Sequence, residues 1–245
     1  MRLKSALLFL SAVLAFHANF AQANLIKNGG FEANVIDKSK YANGKTLEKD
    51  GVTIINWISS KNGGDSGGYN FLMNGATAHL DGGAMQLHGS GKDFFMSPSG
   101  GNFFASDPDY GPGTLKQYVG GLEVGTKYQL TFEFALAQQV NWTGNNKDVY
   151  WEVGFGNAKQ NSAKLSIPEK GFSGWQTASM VFTATSTSQW LSFLSQRTAS
   201  GGPPFMLLDN VQLHADVPEP ATWVLMLAGL GMLVFLARRR RHGQV

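Results

Sequence analysis

Alternation of apolar and polar residues recurs along the middle of this 245-residue chain and constrains its fold more than any other feature. In the segment KYQLTFEFA, every second residue from Tyr128 to Phe134 is apolar and the residues between them are polar. Similar alternation runs through the segments DVYWEVGFG, SQWLSFLSQ and PFMLLDNVQL. A period of two is typical of half-buried β-strands, whereas an amphipathic helix repeats every three to four residues.

Glycine-rich turns separate these segments, since 30 of the 245 residues are glycine. Short strands joined by many turns favour an all-β fold, specifically an antiparallel β-sandwich. The chain contains no cysteine. Disulfide bonds, thiol catalysis and zinc–thiolate sites are therefore excluded.

The N-terminus has the pattern of a secretory signal peptide. Arg2 and Lys4 precede an apolar stretch from Ser5 to Phe16, and Ala21 and Ala23 form the small-x-small pattern that signal peptidase cleaves. We predict that residues 1–23 are removed and that the mature chain begins at Asn24, outside the cytoplasm.

The C-terminus has the pattern of a single transmembrane helix. The uncharged run from Ala221 to Ala237 would extend about 26 Å as a helix, close to the thickness of a bilayer's hydrocarbon core. Four arginines, Arg238 to Arg241, follow it directly and place that end on the cytoplasmic side by the positive-inside rule. We predict an anchor in the inner membrane.

The sequence Val217-Pro218-Glu219-Pro220 immediately precedes this span. Residues 217–241 thus contain, in this order, a Val-Pro-Glu-Pro motif, a short span and a terminal arginine cluster. This arrangement resembles the PEP-CTERM sorting signal of Gram-negative bacteria. The resemblance implies that an exosortase recognises the four residues and cleaves near them. It also implies transient anchoring, followed by export to the cell surface or extracellular matrix, often alongside exopolysaccharide production.

Removing both ends leaves one predicted exported domain, residues 24–216. Six of the 20 Lys and Arg residues and one of the 17 Asp and Glu residues lie in the ends, so this domain carries a net charge of −2. It has no basic patch and no nucleic-acid-binding motif, and we expect no nucleic-acid partner.

The segments NLIKNGGFE, GTLKQYVGGLEVGTKYQLTFEFA, GWQTASMVFTATSTSQWLSFLS and MLLDNVQL occur in this order through the domain. Together they resemble the galactose-binding-like jelly rolls, a group that includes carbohydrate-binding modules. The resemblance covers nearly all of residues 24–214 and implies a jelly-roll β-sandwich. It is weak on function, because the fold also serves protein-binding and structural roles.

Alternation places Asp209 on the same strand face as Leu207, Val211 and Leu213. A carboxylate that faces a core must be paired, hydrogen-bonded or bound to a metal. In the jelly rolls that this domain resembles, acids of the opening and closing motifs often bind a structural calcium ion, and the matching residues are Glu32 and Asp209. The alternative is that Asp209 accepts hydrogen bonds from backbone N–H groups at a strand end.

Sugar-binding sites present Trp and Tyr faces that stack against a pyranose ring, with amide and carboxylate groups nearby. Four aromatic residues beside polar or glycine-rich loops are candidates for an extracellular polysaccharide: Trp57, Tyr69, Tyr110 and Trp142. Three others lie in strand patterns and are predicted core residues: Trp151, Trp175 and Trp190.

Two glutamates on the predicted outward faces of strong strands, Glu133 and Glu152, leave a glycoside hydrolase open as a third hypothesis. No Gly-x-Ser-x-Gly nucleophile motif is present. The sequence favours a non-enzymatic exported protein that binds extracellular polysaccharide. The second hypothesis is a structural or adhesion protein of the matrix that recognises other proteins.

Overall fold

The computed structural model describes residues 23–36, 52–61, 70–75, 86–88, 96–110, 112–199, 201–216, 229–233 and 239. The predicted signal peptide, apart from Ala23, lies outside these residues, as do the Val-Pro-Glu-Pro motif and most of the predicted span. Residues 229–233 are helical. Within the described part of the chain, no helix has the length and apolar character needed to cross a bilayer. The signal peptide and the membrane span stay predictions.

The described residues form thirteen β-strands. In chain order they are β1 (Asn34–Ile36), β2 (Val52–Ile54), β3 (Ile58–Lys61), β4 (Asn70–Asn74), β5 (Asn102–Ser106), β6 (Gly113–Gly120), β7 (Lys127–Gln138), β8 (Asn146–Phe155), β9 (Ala158–Asn161), β10 (Leu165–Ile167), β11 (Gln176–Thr183), β12 (Ser188–Arg197) and β13 (Pro204–Ala215).

Two antiparallel sheets make up the body of the domain. The six-stranded sheet has the order β10-β8-β12-β6-β3, with β9 also paired to β8. The five-stranded sheet has the order β11-β7-β13-β5-β4, and β1 and β2 form a separate pair. The sheets pack face to face over a shared core, so the predicted all-β antiparallel sandwich is confirmed.

The core between the sheets follows the alternation seen in the sequence. The apolar residues of β7 from Tyr128 to Phe134 and those of β8 from Val149 to Phe155 are buried and belong to one cluster. Trp151 is fully buried, and its indole Nε1 donates to the Leu207 carbonyl at 3.1 Å, which joins the two sheets. Its predicted place in the core is confirmed.

A second apolar cluster covers the outer face of the five-stranded sheet. Its members are Phe71, Leu87, Phe103, Ala105, Ala135, Ala137, Phe205 and Leu207. Half-buried Phe172 and Trp175 pack over it, and Leu87 forms a single antiparallel bridge with Gln139. This sheet is therefore apolar on both faces, which leaves the outer face of the six-stranded sheet as the more open one.

A β-bulge in β13 places Val211 and Leu213 on the face opposite to Asp209, so the prediction that all three share one face is wrong. Asp209 pairs with Glu133 and Gln212 pairs with Thr131, so β13 has one more residue than β7 between these pairs. The bulge contains Asn210, with φ of 48°, and it reverses the alternation. Asp209 shares the outer face with Leu207, whereas Val211 and Leu213 point into the central core.

Candidate functional site

An exposed aromatic pair lies on the outer face of the six-stranded sheet. Tyr118 on β6 and Trp190 on β12 are directly opposite in the strand register. Their ring centroids are 5.1 Å apart, with an angle of 60° between the ring planes. Tyr118 is 57% exposed and Trp190 is 41% exposed. Two large apolar rings in water at adjacent positions form a ready surface for stacking against a ligand.

The prediction that Trp190 is a core residue is wrong. Its neighbour Leu191 points into the central core, as does Phe193. Because successive side chains of a strand point to opposite faces, Trp190 must then point outward. The same parity argument applied to the segment SQWLSFLSQ identifies this exposed ring from sequence.

Hydrogen bonding and a cation hold the two rings in place. The Tyr118 hydroxyl lies 2.6 Å from the Ser188 hydroxyl on β12. The Nζ of Lys116 lies 4.8 Å from the centroid of the Trp190 ring. An ammonium at this distance over an indole is attracted by the negative face of the ring, by about 0.5–1 kcal/mol at an exposed site.

The N-terminal segment forms one wall beside these rings. The side chain of Gln117 is buried and binds both the backbone N–H and the backbone carbonyl of Lys27. Its Oε1 accepts from the N–H at 2.9 Å, and its Nε2 donates to the carbonyl at 2.8 Å. Asn24 accepts from the backbone N–H groups of Ile26 and Leu213 at 3.0 and 2.9 Å. The wall is therefore fixed against both sheets.

The turn before β3 forms the opposite wall, and Trp57 anchors it. Trp57, one of the four candidate aromatic ligands, is buried rather than presented to solvent: it is only 4% exposed, and its ring packs against Phe31 and Phe193. Its Nε1 donates to the Asn28 carbonyl at 2.9 Å, while the Asn28 side chain donates to the Ile55 carbonyl at 2.9 Å. Trp57 supports the wall from inside.

Between these walls lies an open groove of about 500 Å³, which we call the aromatic groove. It combines two exposed rings, amide groups and two lysines. Its lining residues are Leu25, Lys27, Thr53, Ile54, Ile55, Asn56, Trp57, Ile58, Lys116, Gln117, Tyr118, Gly120 and Trp190. This combination of ring faces and hydrogen-bonding groups suits a sugar, whose ring has an apolar face and a polar edge.

Two of the other predicted aromatic ligands lie outside this groove. Tyr110, in the β5–β6 connection, is 60% exposed, and Trp142, in the β7–β8 connection, is 51% exposed. Both connections lie at the end of the sandwich where the Arg197 side chain of β12 forms an ion pair with Asp109. Tyr69 lies outside the described residues.

Three carboxylates converge on the outer side of the five-stranded sheet. Asp209 is fully buried and lies directly opposite Glu133, which is also buried. The Asp209 carboxylate accepts hydrogen bonds from the Ser97 hydroxyl and from the backbone N–H of Asn210. Glu133 accepts from the Ser99 hydroxyl at 2.9 Å. Glu133, which was expected to face solvent, is thus covered by the segment that contains these serines.

Burial, together with the negative charges of Glu133 and Glu32, raises the pKa of Asp209 to about 7, against the hydrogen bonds from Ser97 and Asn210, which lower it. Glu32 closes the cluster from the loop side, where it accepts from the Asn102 backbone N–H at 2.6 Å. Gly101 leaves room for this carboxylate, because a Cβ there would lie 1.9 Å from Glu32 Oε1.

The donor chemistry of this cluster fits calcium, which prefers carboxylate, hydroxyl and carbonyl oxygens. A buried carboxylate with acidic neighbours is an environment that a cation would stabilise. Among the residues that the structure describes, however, no group of three or more His, Cys, Asp or Glu side chains is arranged to hold one ion. Further ligands would have to be hydroxyl or backbone oxygens.

The two glutamates of the hydrolase hypothesis are not partners. Glu133 lies on β7 of the five-stranded sheet, and Glu152 lies on β8 of the six-stranded sheet. Glu152 is occupied by a salt bridge with Lys159 at 2.6 Å. A glycosidase acid and base must flank one scissile bond from a shared cleft, so this pair cannot perform that reaction.

Comparison with known proteins relates the two parts of the chain to different groups. Residues 216–241 match the PEP-CTERM protein-sorting motif. A 212-residue region, 85% of the chain, is 30% identical to halomucin of Haloquadratum walsbyi. The chain spans only 2% of the length of halomucin.

Similar solved structures include a sugar-binding protein from Bacteroides thetaiotaomicron, at 14% identity and a TM-score of 0.41, over 79% of this chain and 100% of that one. The carbohydrate-binding module TmCBM61, solved with β-1,4-galactotriose, has 14% identity and a TM-score of 0.40, over 79% of this chain and 99% of that one. The enzymatically active domain of tailspike protein 4 from bacteriophage CBA120 has 16% identity and a TM-score of 0.40, over 78% of this chain and 21% of that one. The chain thus carries a PEP-CTERM protein-sorting motif at its C-terminus.

Proposed function

We propose that this chain is an exported, non-enzymatic cell-surface or matrix protein that binds extracellular polysaccharide through the aromatic groove. Signal peptidase would remove residues 1–23. An exosortase would act on Val217 to Pro220 while the following span holds the chain in the inner membrane. The PEP-CTERM motif implies export to the cell surface.

The Tyr118–Trp190 pair is the observation that carries the glycan-binding part of this proposal. Its rings are exposed, adjacent and placed between two fixed walls in a groove large enough for a sugar residue. A protein-binding matrix protein, the second hypothesis, would favour a flat face poor in aromatic residues. The aromatic groove supports the glycan-binding hypothesis instead.

A structural calcium ion at Asp209, with Glu133 and Glu32 beside it, is part of the proposal. When bound, calcium would neutralise the buried carboxylates and tie the Glu32 loop to β13. Asp209 and Glu133 lie on the five-stranded sheet, whereas Lys116, Tyr118 and Trp190 of the groove lie on the six-stranded sheet. The proposed calcium therefore stabilises the fold and does not contact the glycan.

The function is tested by a binding measurement on the purified full-length chain in mild detergent. The ligands are exopolysaccharide from the producing cells and a glycan panel. The measurement is made with calcium and with a chelator. We expect saturable binding to at least one polysaccharide. If no glycan binds under either condition, the glycan-binding part of the proposal is wrong and only the sorting part stands.

A further inference from the structure

Two charged side chains among the described residues line the aromatic groove, and both are positive. They are Lys27, on the N-terminal wall, and Lys116, on β6 beside the aromatic pair. The predicted exported domain around them carries a net charge of −2. The groove is therefore a positive site on a negative domain, and its charge does not follow from overall composition.

Lys116 is placed where an anionic group of a stacked sugar would lie. Its Nζ sits over the Trp190 ring, 4.8 Å from the centroid, and its side chain is half-buried. A sugar ring stacked on Tyr118 or Trp190 would bring its substituents within reach of this ammonium. Partial burial weakens screening by water and strengthens attraction for a negative substituent.

Lys27 offers a second positive charge from a fixed backbone. The two hydrogen bonds between Gln117 and the Lys27 backbone hold that backbone in place, while the Lys27 side chain itself is exposed. Two lysines on one groove can contact successive charged residues of a polymer, which a single lysine cannot. This arrangement favours a chain that carries repeated negative charge.

We infer that the ligand of the aromatic groove is an anionic polysaccharide, bearing carboxylate or sulfate groups. The inference rests on the proposed glycan-binding function and names its substrate class. The negative charge elsewhere on the domain would repel such a polymer, so productive contact is confined to the groove.

The test compares three probes with the purified full-length chain: alginate, dextran sulfate and neutral dextran. The variants are Lys116→Gln, the double variant Lys27→Gln/Lys116→Gln, and Lys164→Gln. Lys164 is a matched control, because its Nζ lies 5.7 Å from the centroid of the Tyr150 ring on the same sheet but outside the groove. Thermal melting of each variant checks that it is folded.

We expect the wild-type chain to bind alginate, dextran sulfate or both at least about tenfold more tightly than neutral dextran, with affinity falling as NaCl rises from about 0.05 to about 0.5 M. The double variant should lose about tenfold in affinity for the anionic probe and most of the salt dependence, while Lys164→Gln should behave as wild type. Preference for alginate identifies a carboxylate ligand, and preference for dextran sulfate identifies a sulfate ligand.

Two results would overturn the inference. In the first, neutral dextran binds as tightly as the anionic probes, so that glycan binding stands and the assigned class is wrong. In the second, Lys164→Gln weakens binding as much as Lys116→Gln, so that the attraction is diffuse and not a property of the groove. Failure of all three probes and of the glycan panel would instead remove the proposed function itself.

Discussion

Asp209 and Glu133 lie directly opposite each other on β13 and β7, two buried carboxylates at paired positions of an antiparallel sheet. Like charges at paired positions destabilise a sheet, and burial adds to that cost. The hydrogen bonds from Ser97 and Ser99 offset part of it. The pair makes the stability of this domain depend on pH and, if calcium binds, on the metal.

In a chelator, we expect the free energy of unfolding to fall as pH rises from about 4 to about 7. The pKa of Asp209 in the folded state is about 7, above the ordinary value of 3.8 for an aspartate. Burial raises the pKa of Asp107 to about 7 as well. The folded state therefore binds protons more tightly than the unfolded state in this range, and stability declines by up to about 4 kcal/mol per group. Tryptophan fluorescence during urea unfolding at each pH measures the effect.

Asp209→Asn should remove one part of that decline, because the amide cannot ionise. Asp107→Asn should remove the other part. A metal-free wild-type chain whose stability rises between pH 4 and 7 would contradict both raised pKa values.

Calcium should raise the thermal midpoint of the wild-type chain. At about one hundred times its Kd, a ligand that binds only the folded state adds about 2.7 kcal/mol, which corresponds to about 5–10 °C for a domain of this size. Asp209→Asn and Glu133→Gln should lose this response. Magnesium is the control, because it accommodates fewer protein oxygens. An unchanged midpoint at millimolar calcium would count against the metal site.

Gly29→Ala should destabilise the domain by about 2–3 kcal/mol, because the added Cβ would lie 2.0 Å from the Val211 carbonyl oxygen at the bulge. The Gly29 carbonyl also accepts from the Val211 N–H at 3.0 Å, so the loop cannot easily move away. Gly120→Ala is the control, since no atom lies within 4 Å of its added Cβ. Equal stability of the two variants in urea unfolding would contradict the close approach of Gly29 to the Val211 carbonyl.

Replacing Pro218, Glu219 and Pro220 together by alanine should block processing of the tail. In cells that contain an exosortase, an epitope at the C-terminus should separate from the wild-type exported domain and stay joined to it in the variant. Immunoblotting of membrane and surface fractions distinguishes the two. Separation of the epitope in both chains would show that the motif is not required for cleavage.

Local alternation predicted the sheets well, because the faces of β7 and β8 depend only on the burial of every second residue. It failed at Val211 and Leu213, where the bulge at Asn210 reverses the alternation, and nothing in the local pattern reveals an extra residue in one strand. The paired positions of Asp209 and Glu133 depend on strand register, which a single sequence does not specify.

The candidate groove was less predictable than the fold. Trp57 lies between the turn at residues 55–56 and β3. Its burial by Phe31 and Phe193 therefore cannot be predicted without knowing which loops meet. The alternation within its own segment is enough to predict that Trp190 points outward. Its pairing with Tyr118 joins positions far apart in sequence and needs the register of β6 with β12.

The central claim is that the aromatic groove binds polysaccharide. The most direct test measures the affinity of two double variants for the polysaccharide that the wild-type chain binds most tightly. Tyr118→Ala/Trp190→Ala removes the groove pair. Tyr110→Ala/Trp142→Ala removes an equally exposed tyrosine and tryptophan at the loop end of the sandwich. We predict a loss of about tenfold per ring, about 1.4 kcal/mol each, in the first variant, and wild-type affinity in the second. Wild-type affinity in the first variant, with loss in the second, would contradict the account and place the ligand at the loops.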